Sequence, residues 1–243
     1  MQRKRTGVIL AAGFGSRLRT EDDASIKPLT PVGGVPLVFR ALRGLEQAGC
    51  DRIVVVVGFR AEPLIAAINA GAPTKAPVTF VTNPRYELAN GVSLLAARPE
   101  LDPEFVVAMA DHVVGDETMA RAAAHTPAAG GATLLVDRRI DAVFDLDDAT
   151  KVKTSGDRLV AIGKQLVDYD CIDIGVFVCS HGLLDALQAT LDELGDASLS
   201  QGVATLAARG QMAVLDIGDG FWQDVDTKEM LAHTERMLAS RGT

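Results

Sequence analysis

The sequence predicts an α/β fold, a three-layer α/β/α sandwich around a mostly parallel mixed central sheet. Three observations carry that expectation. Apolar runs alternate with amphipathic stretches along the first half of the chain. The runs are continuous, as in FVVAMA at 105–110, rather than strictly alternating. Strands covered by helices on both faces read that way. The first run, GVILAAGFGSRL at 7–18, breaks directly into glycines, as a strand delivering a phosphate-binding turn does.

In order, strands are expected at 7–11, at 52–58 (RIVVVVG), at 78–82 (VTFVT), at 105–110 and at 132–137 (ATLLVD). Amphipathic stretches at 37–48, 61–70, 92–98 and 116–125 supply the helices between them. The second half changes character. Strands at 149–153 and 158–163 flank Thr154-Ser155-Gly156-Asp157, a hairpin turn by composition. A strand at 171–179, helices at 182–194 and 199–208, a strand at 212–217 and a helix from 227 to about 239 complete the order. No repeat, low-complexity segment or Pro/Gly/Ser linker interrupts it, so one domain over 1–243 is expected.

Composition narrows the function. The chain has 243 residues, 48% of them hydrophobic, and a net charge of −8. Its only basic cluster is Arg3-Lys4-Arg5, too small for a nucleic-acid surface. The cysteines, Cys50, Cys171 and Cys179, are odd in number and contain no CxxC, which argues against a disulfide framework or zinc site. Apolar runs such as 53–57 are far short of a bilayer span, and no signal peptide is evident. A cytoplasmic protein with no membrane insertion is the expectation.

The glycine turn poses the central question. A dinucleotide fold needs a third glycine where Leu18 stands and an acid closing the second strand, but the chain there reads SIKPLTPVGGVPL. A P-loop needs GKS or GKT, and neither follows. A triphosphate cradle of another kind remains. Gly13 and Gly15 let backbone N–H groups approach phosphate oxygens. Arg17 is placed to grip the β- and γ-phosphates, and Lys27 to set a point charge on the α-phosphate. Taken singly, the glycines also suit an ordinary tight turn and the cations a solvated surface; their joint spacing favours the cradle.

At these residues the chain resembles the nucleotidylyltransferases, which share a Rossmann-like GT-A fold. LAAGFGSRL, then KPL, then GGVPL carry the likeness, in that order. NPRYELANGVSLL at 83–95 resembles the base-recognition segment of cytidylyltransferases acting on alcohol phosphates, and MADH at 109–112 their metal-binding acid. The stretch 148–177 and FWQDVDT at 221–227 are most similar to the CTP:inositol-1-phosphate cytidylyltransferase branch. The resemblance implies a nucleotide-binding half at 1–115 and an acceptor-binding half at 116–243. It also implies CTP and a phosphorylated alcohol, inositol 1-phosphate foremost, as substrates, with CDP-inositol and pyrophosphate as products. In some relatives a membrane synthase consuming the CDP-alcohol is fused to this domain. Here a separate membrane CDP-alcohol phosphatidyltransferase is the expected recipient.

The resemblance puts Mg²⁺ on Asp111, and the chemistry agrees, since Asp111 ends an apolar strand at the sheet's carboxyl edge. The second ligand is expected from Asp224 or Asp226, which share a face of an extended chain; one of them could instead cap the following helix. His112 is expected on the opposite face if the strand continues. Asp145, Asp147 and Asp148 read as solvated loop charge.

Leu10, Ala11, Ala12, Gly13, Gly15 and Ser16, with Asn90, Gly91 and Ser93, are the expected nucleotide-binding residues. Asn90-Gly91 also suits a plain turn before a helix. Lys164 matches the family's acceptor-phosphate lysine. Lys151, Asp173 and Tyr86 complete the expected acceptor set, each equally compatible with a surface or packing role. Rival readings are phosphocholine or a phosphonate as acceptor, a sugar 1-phosphate used with UTP or dTTP, and a silent nucleotide sensor.

Overall fold

The computed structural model describes residues 4–15 and 26–241. Ser16 and Arg17 lie outside the described residues. The strands are β1 (Thr6–Leu10), β2 (Pro31–Val32), β3 (Val35–Pro36), β4 (Arg52–Val57), β5 (Val78–Thr82), β6 (Glu104–Met109), β7 (His112–Val114), β8 (Ala132–Asp137), β9 (Lys151–Ser155), β10 (Arg158–Gly163), β11 (Cys171–Ser180), β12 (Met212–Asp216) and β13 (Trp222–Asp224). The helices are α1 (Leu37–Gln47), α2 (Ala61–Gly71), α3 (Asn90–Ala96), α4 (Asp116–Ala124), α5 (His181–Leu194), α6 (Leu199–Ala208) and α7 (Lys228–Arg241).

Nine strands form one sheet in the order β5-β4-β1-β6-β11-β8-β12-β10-β9, and β9 pairs back onto β11. β1 lies parallel between β4 and β6, and β5 adds parallel to β4. β11 then runs antiparallel to both β6 and β8, and β10 antiparallel to β12 and β9, so these two strands oppose the rest. The sheet is mixed, with most strands pointing one way.

Residue alternation along β1 divides the core. Val8 and Leu10 face a cluster that includes Val92 of α3, Leu183 and Leu187 of α5, and Val203 and Leu206 of α6. Ile9 faces the other cluster, with Leu42 and Leu45 of α1, Leu64 and Ile68 of α2, and Met119 of α4. A two-residue side-chain period thus places helices on both faces and makes three layers. A smaller cluster of Val32, Leu37, Val113, Phe221, Val225 and Leu238 ties β2, β7, α7 and the residues on either side of β13 together beside α1. It positions β13, which the site depends on. Among the described residues no helix is long and apolar enough to cross a membrane.

Candidate active site

Two cavities open side by side at the carboxyl edge of β1 and β6. The first, about 230 Å³, is lined by Leu10, Ala11, Ala12, Gly13, Gly15, Lys27, Tyr86, Asn90, Ser93 and Asp111 among others. The second, about 240 Å³, is lined by Asn90, Asp111, His112, Asp148, Lys164, Asp173, Trp222, Asp224 and Asp226 among others. Asn90, Met109 and Asp111 line both. Met109 and Asp111 stand there because β6 ends at Met109 and the chain turns before β7 begins, and Asn90 because it opens α3.

The glycine turn after β1 lines one side of the first cavity. A Cβ added at Gly13 would meet nothing within 4 Å, so it would project into open space. Gly15 has φ +58°, and a Cβ there would lie 2.6 Å from Lys27 Cβ. Gly15 therefore lets Lys27 approach the turn. Asn90 and Ser93 occupy the first turn of α3, three residues apart and on the cavity face. Asn90 Oδ1 accepts the Leu199 amide (2.9 Å), and Asn83 Nδ2 donates to Ser93 Oγ (3.0 Å). Gly91 does not line either cavity; a Cβ there would lie 2.5 Å from the Ala197 carbonyl oxygen, so its close approach is to the loop before α6. Tyr86, expected with the acceptor, lies instead in the first cavity, edge-on to Phe14 with ring centroids 5.4 Å apart.

Charge concentrates where the cavities meet. The Lys27 ammonium, on a side chain only 8% exposed, donates to Asp111 Oδ2 at 2.6 Å and to Asp226 Oδ1. Burial works against the charged lysine, but Asp111 and Asp226 outweigh it and raise its pKa. Burial likewise opposes Asp111 ionisation, yet Lys27 and His112 hold this carboxyl well below the usual range. Asp224 goes the other way: burial pushes its pKa up, and the charges of Asp226 and Asp111 add to the shift.

His112 was expected to face away from Asp111. The chain turns at Ala110-Asp111 and restarts as β7, and this brings His112 Nδ1 to 2.8 Å from Asp111 Oδ1. Burial lowers the imidazole pKa, but the neighbouring Asp111, Asp224 and Asp173 raise it further. Asp226 does not cap α7, because Thr227 Oγ1 accepts the Met230 amide at 3.2 Å.

On the second cavity's far wall, Lys164 Nζ donates to Asp148 Oδ1 at 2.6 Å. Asp148, read from sequence as solvated loop charge, lines this cavity and pairs with Lys164. Lys151 does not line the cavity; its ammonium donates to the carbonyls of Asp147, Ala149 and Lys164 at 3.1–3.3 Å and braces that loop. A register shift in β11 between Asp173 and Phe177 turns Asp173 inward, where its Oδ1 accepts the Gly175 amide at 2.7 Å. Burial pushes the Asp173 carboxyl up to about 6.

Asp111, Asp224 and Asp226 are hard oxygen donors at one junction, a donor set that suits a divalent cation completed by phosphate oxygens. Lys27 bonds both Asp111 and Asp226, so an ion held at this junction would share those carboxylates with the lysine. Among the described residues no group of three or more His, Cys, Asp or Glu is arranged to hold a metal. Any ion here would draw part of its coordination from substrate.

The chain matches the MobA-like NTP transferase domain family over residues 7–207. It is 38% identical, over 95% of its length and 51% of the relative's, to the bifunctional IPC transferase and DIPP synthase of Rubrobacter xylanophilus. With the protein of that name from Aquifex aeolicus it shares 32% identity over 96% of its length and 51% of the relative's. The chain spans about half the length of these curated relatives. Among solved structures, the inositol-1-phosphate CTP transferase from T. maritima is similar with a TM-score of 0.81, 25% identity and 96% coverage of both chains.

Proposed function

The chain belongs to the MobA-like NTP transferase domain family, a family of nucleotidyltransferases, and on that premise we propose that it transfers a cytidylyl group from CTP to inositol 1-phosphate. The products are CDP-inositol and pyrophosphate. The observation that carries the reading is the pair of cavities of similar size meeting at Asp111: one lined by the glycine turn with Lys27, the other rich in charged side chains. Two substrates bound side by side react across such a junction. The names of the curated relatives and of the T. maritima structure favour inositol phosphate and CTP over the rival substrates.

In the mechanism, a phosphate oxygen of the acceptor attacks the α-phosphorus of CTP in line. The bond from that phosphorus to the bridging oxygen breaks, and pyrophosphate leaves with the electron pair. The acceptor phosphate is ionised near neutral pH, its second pKa being about 6, so no general base is needed. The catalytic tasks are positioning and charge neutralisation. Leu10–Gly15 and the α3 residues Asn90 and Ser93 hold the nucleotide. Lys27 and Arg17 offset phosphate charge. Lys164 exchanges Asp148 for the acceptor phosphate, and Asp173 accepts from a ring hydroxyl. Mg²⁺, held by Asp111 and Asp224, would supply further neutralisation of the triphosphate. We place the reaction in the cytoplasm, with a membrane CDP-alcohol phosphatidyltransferase, on this polypeptide or another, consuming the product.

Pyrophosphate release from each of the four nucleoside triphosphates, measured against a panel of phosphorylated alcohols, tests the assignment. The expected result is a kcat/KM for CTP with inositol 1-phosphate at least about tenfold above that with phosphocholine, or about 1.4 kcal/mol of transition-state preference. Faster turnover with phosphocholine, or with UTP and a sugar phosphate, overturns the inositol reading. No pyrophosphate with any pair points to the sensor.

A further inference from the structure

Asp137 is the last residue of β8 and only 3% exposed, yet it carries a carboxylate. Arg139 grips it with two side-chain bonds, Nε to Oδ1 at 2.9 Å and Nη2 to Oδ2 at 2.8 Å. The Arg139 amide donates to Oδ1 as well, at 2.8 Å. The Arg139 side chain is itself 37% exposed, so solvent screens this pair and its own contribution to stability is modest. What this pair does hold is the site. Asp137 Oδ2 accepts the indole N–H of Trp222 at 2.8 Å, and Arg139 Nη2 donates to the Gly220 carbonyl at 2.6 Å.

Both bonds end on β13 or the turn that leads into it. Trp222 and Asp224 lie two residues apart on β13, and both line the second cavity. Asp224 pairs across to His112 of β7. The Trp222 indole also stacks on the His112 ring, 13° from parallel with centroids 6.2 Å apart. His112 in turn bonds Asp111. The two site acids are therefore reached from one buried carboxylate: Asp224 along the strand, Asp111 through indole and imidazole.

We propose that Asp137, held by Arg139, is a positioning residue for the transfer reaction: it fixes the Trp222 indole and so sets the relative placement of Asp111 and Asp224. The inference rests on the reading of those two acids as the working groups of cytidylyl transfer. Asp137 touches no substrate. Its contribution is orientational and belongs in kcat rather than in nucleotide affinity.

Trp222 is the only tryptophan in the chain, so intrinsic fluorescence reports this one indole. The test compares the full chain with its Asp137→Ala, Asp137→Asn and Trp222→Phe variants by steady-state kinetics and by decay of Trp222 anisotropy. Asp137→Ala is expected to lower kcat about tenfold or more, leave KM for CTP within about twofold, and release fast local motion of the indole. Asp137→Asn, which keeps an acceptor for the indole N–H, is expected to recover part of the loss. Trp222→Phe keeps a ring for stacking but has no N–H, and is expected to lose about threefold in kcat.

An Asp137→Ala variant with kcat within about twofold of wild type, or with an immobile indole, overturns the proposal. Should that variant not fold, Trp222→Phe at wild-type kcat overturns it. If the wild-type chain turns over no CTP with inositol 1-phosphate, the substrate reading has failed; the anisotropy decay still decides whether Asp137 anchors the indole.

Discussion

The two cavities are nearly equal in size and differ in construction. The β1 cavity is lined by the small residues and glycines of the turn after β1 and by the first turn of α3, with Lys27 and Tyr86 beside them. Its donors are fixed once the sheet forms. The β11 cavity is rich in polar and charged side chains already paired with one another, Lys164 with Asp148 and His112 with Asp111. Its polar groups must exchange partners when a ligand arrives. Backbone recognition suits the substrate part that every reaction of the family shares, a nucleotide. Side-chain recognition suits the part that can be changed by substitution without refolding the sheet. Asp111 belongs to both walls and is where the contrast ends.

That junction should be the most sensitive point. Asp111→Asn is expected to preserve the fold and cut kcat by about 10³-fold, near 4 kcal/mol, because an amide removes charge that both substrates share. Wild-type turnover at saturating substrate and metal would move the junction elsewhere. Lys27→Ala comes next. It should lower kcat about a hundredfold while changing KM for CTP only a few-fold, since charge at the α-phosphorus grows toward the transition state. It should also lower the melting temperature, because Asp111 and Asp226 lose their buried cation. A rise in KM alone would make Lys27 a ground-state anchor.

Two glycines separate wall from scaffold. Gly91→Ala forces a Cβ toward the Ala197 carbonyl, 2.5 Å away, and should destabilise the protein by about 1–3 kcal/mol. Gly13→Ala meets no atom within 4 Å and should leave the unfolding transition unmoved while raising KM for CTP about tenfold. Equal stability losses in the two variants would erase the distinction between them.

The smallest effect concerns the β11 wall at different pH. Asp173 is an acid whose folded pKa is raised to about 6 from an ordinary 3.8. Below pH 3.8 both folded and unfolded states hold the proton, and the residue costs nothing. As pH rises toward 6 the unfolded state ionises first, so wild-type stability falls; above about 6 the penalty is complete. Asp173→Asn should therefore be more stable than wild type at pH 8, by no more than about 3 kcal/mol given its partial exposure, with the difference gone near pH 4. Chemical denaturation at the two pH values measures it, and a difference that grows toward low pH would contradict the assignment of burial as the cause.

The sequence made the backbone cavity legible and the side-chain cavity only partly so. Long strands such as β4 and β8 show themselves as continuous apolar runs, because burial on both faces leaves no other pattern. The glycine turn announces itself because few residues tolerate its geometry. β7 and β13 have three residues each and exist by pairing with one another more than a hundred positions apart, so no local periodicity marks them. His112 was misdirected for that reason: its face depends on where β6 stops. Tyr86, Lys151 and Asp148 carry the right chemistry for a site, but which of them reaches a cavity is decided by loop packing. The roles of Arg17 and Ser16 remain readings of the sequence.

The strand order also shapes how the molecule assembles. In the middle of the sheet Val8 pairs with Val107, and Val107 with Phe177, so each closure encloses a long stretch of chain. At the other end Val152 pairs with Cys171 and Ser155 with Arg158, closures that are nearly local. Loop-closure entropy grows with the length enclosed, and distant pairings reward the chain only after that entropy is lost. The hairpin region can collapse early. The β1–β6 seam needs the chain as far as Met109, and β6 gains its antiparallel neighbour β11 only after Cys171 has been made. The edge that joins both substrates is thus among the last parts of the sheet to be completed, and a ribosome-bound chain has no working site until β13 has emerged.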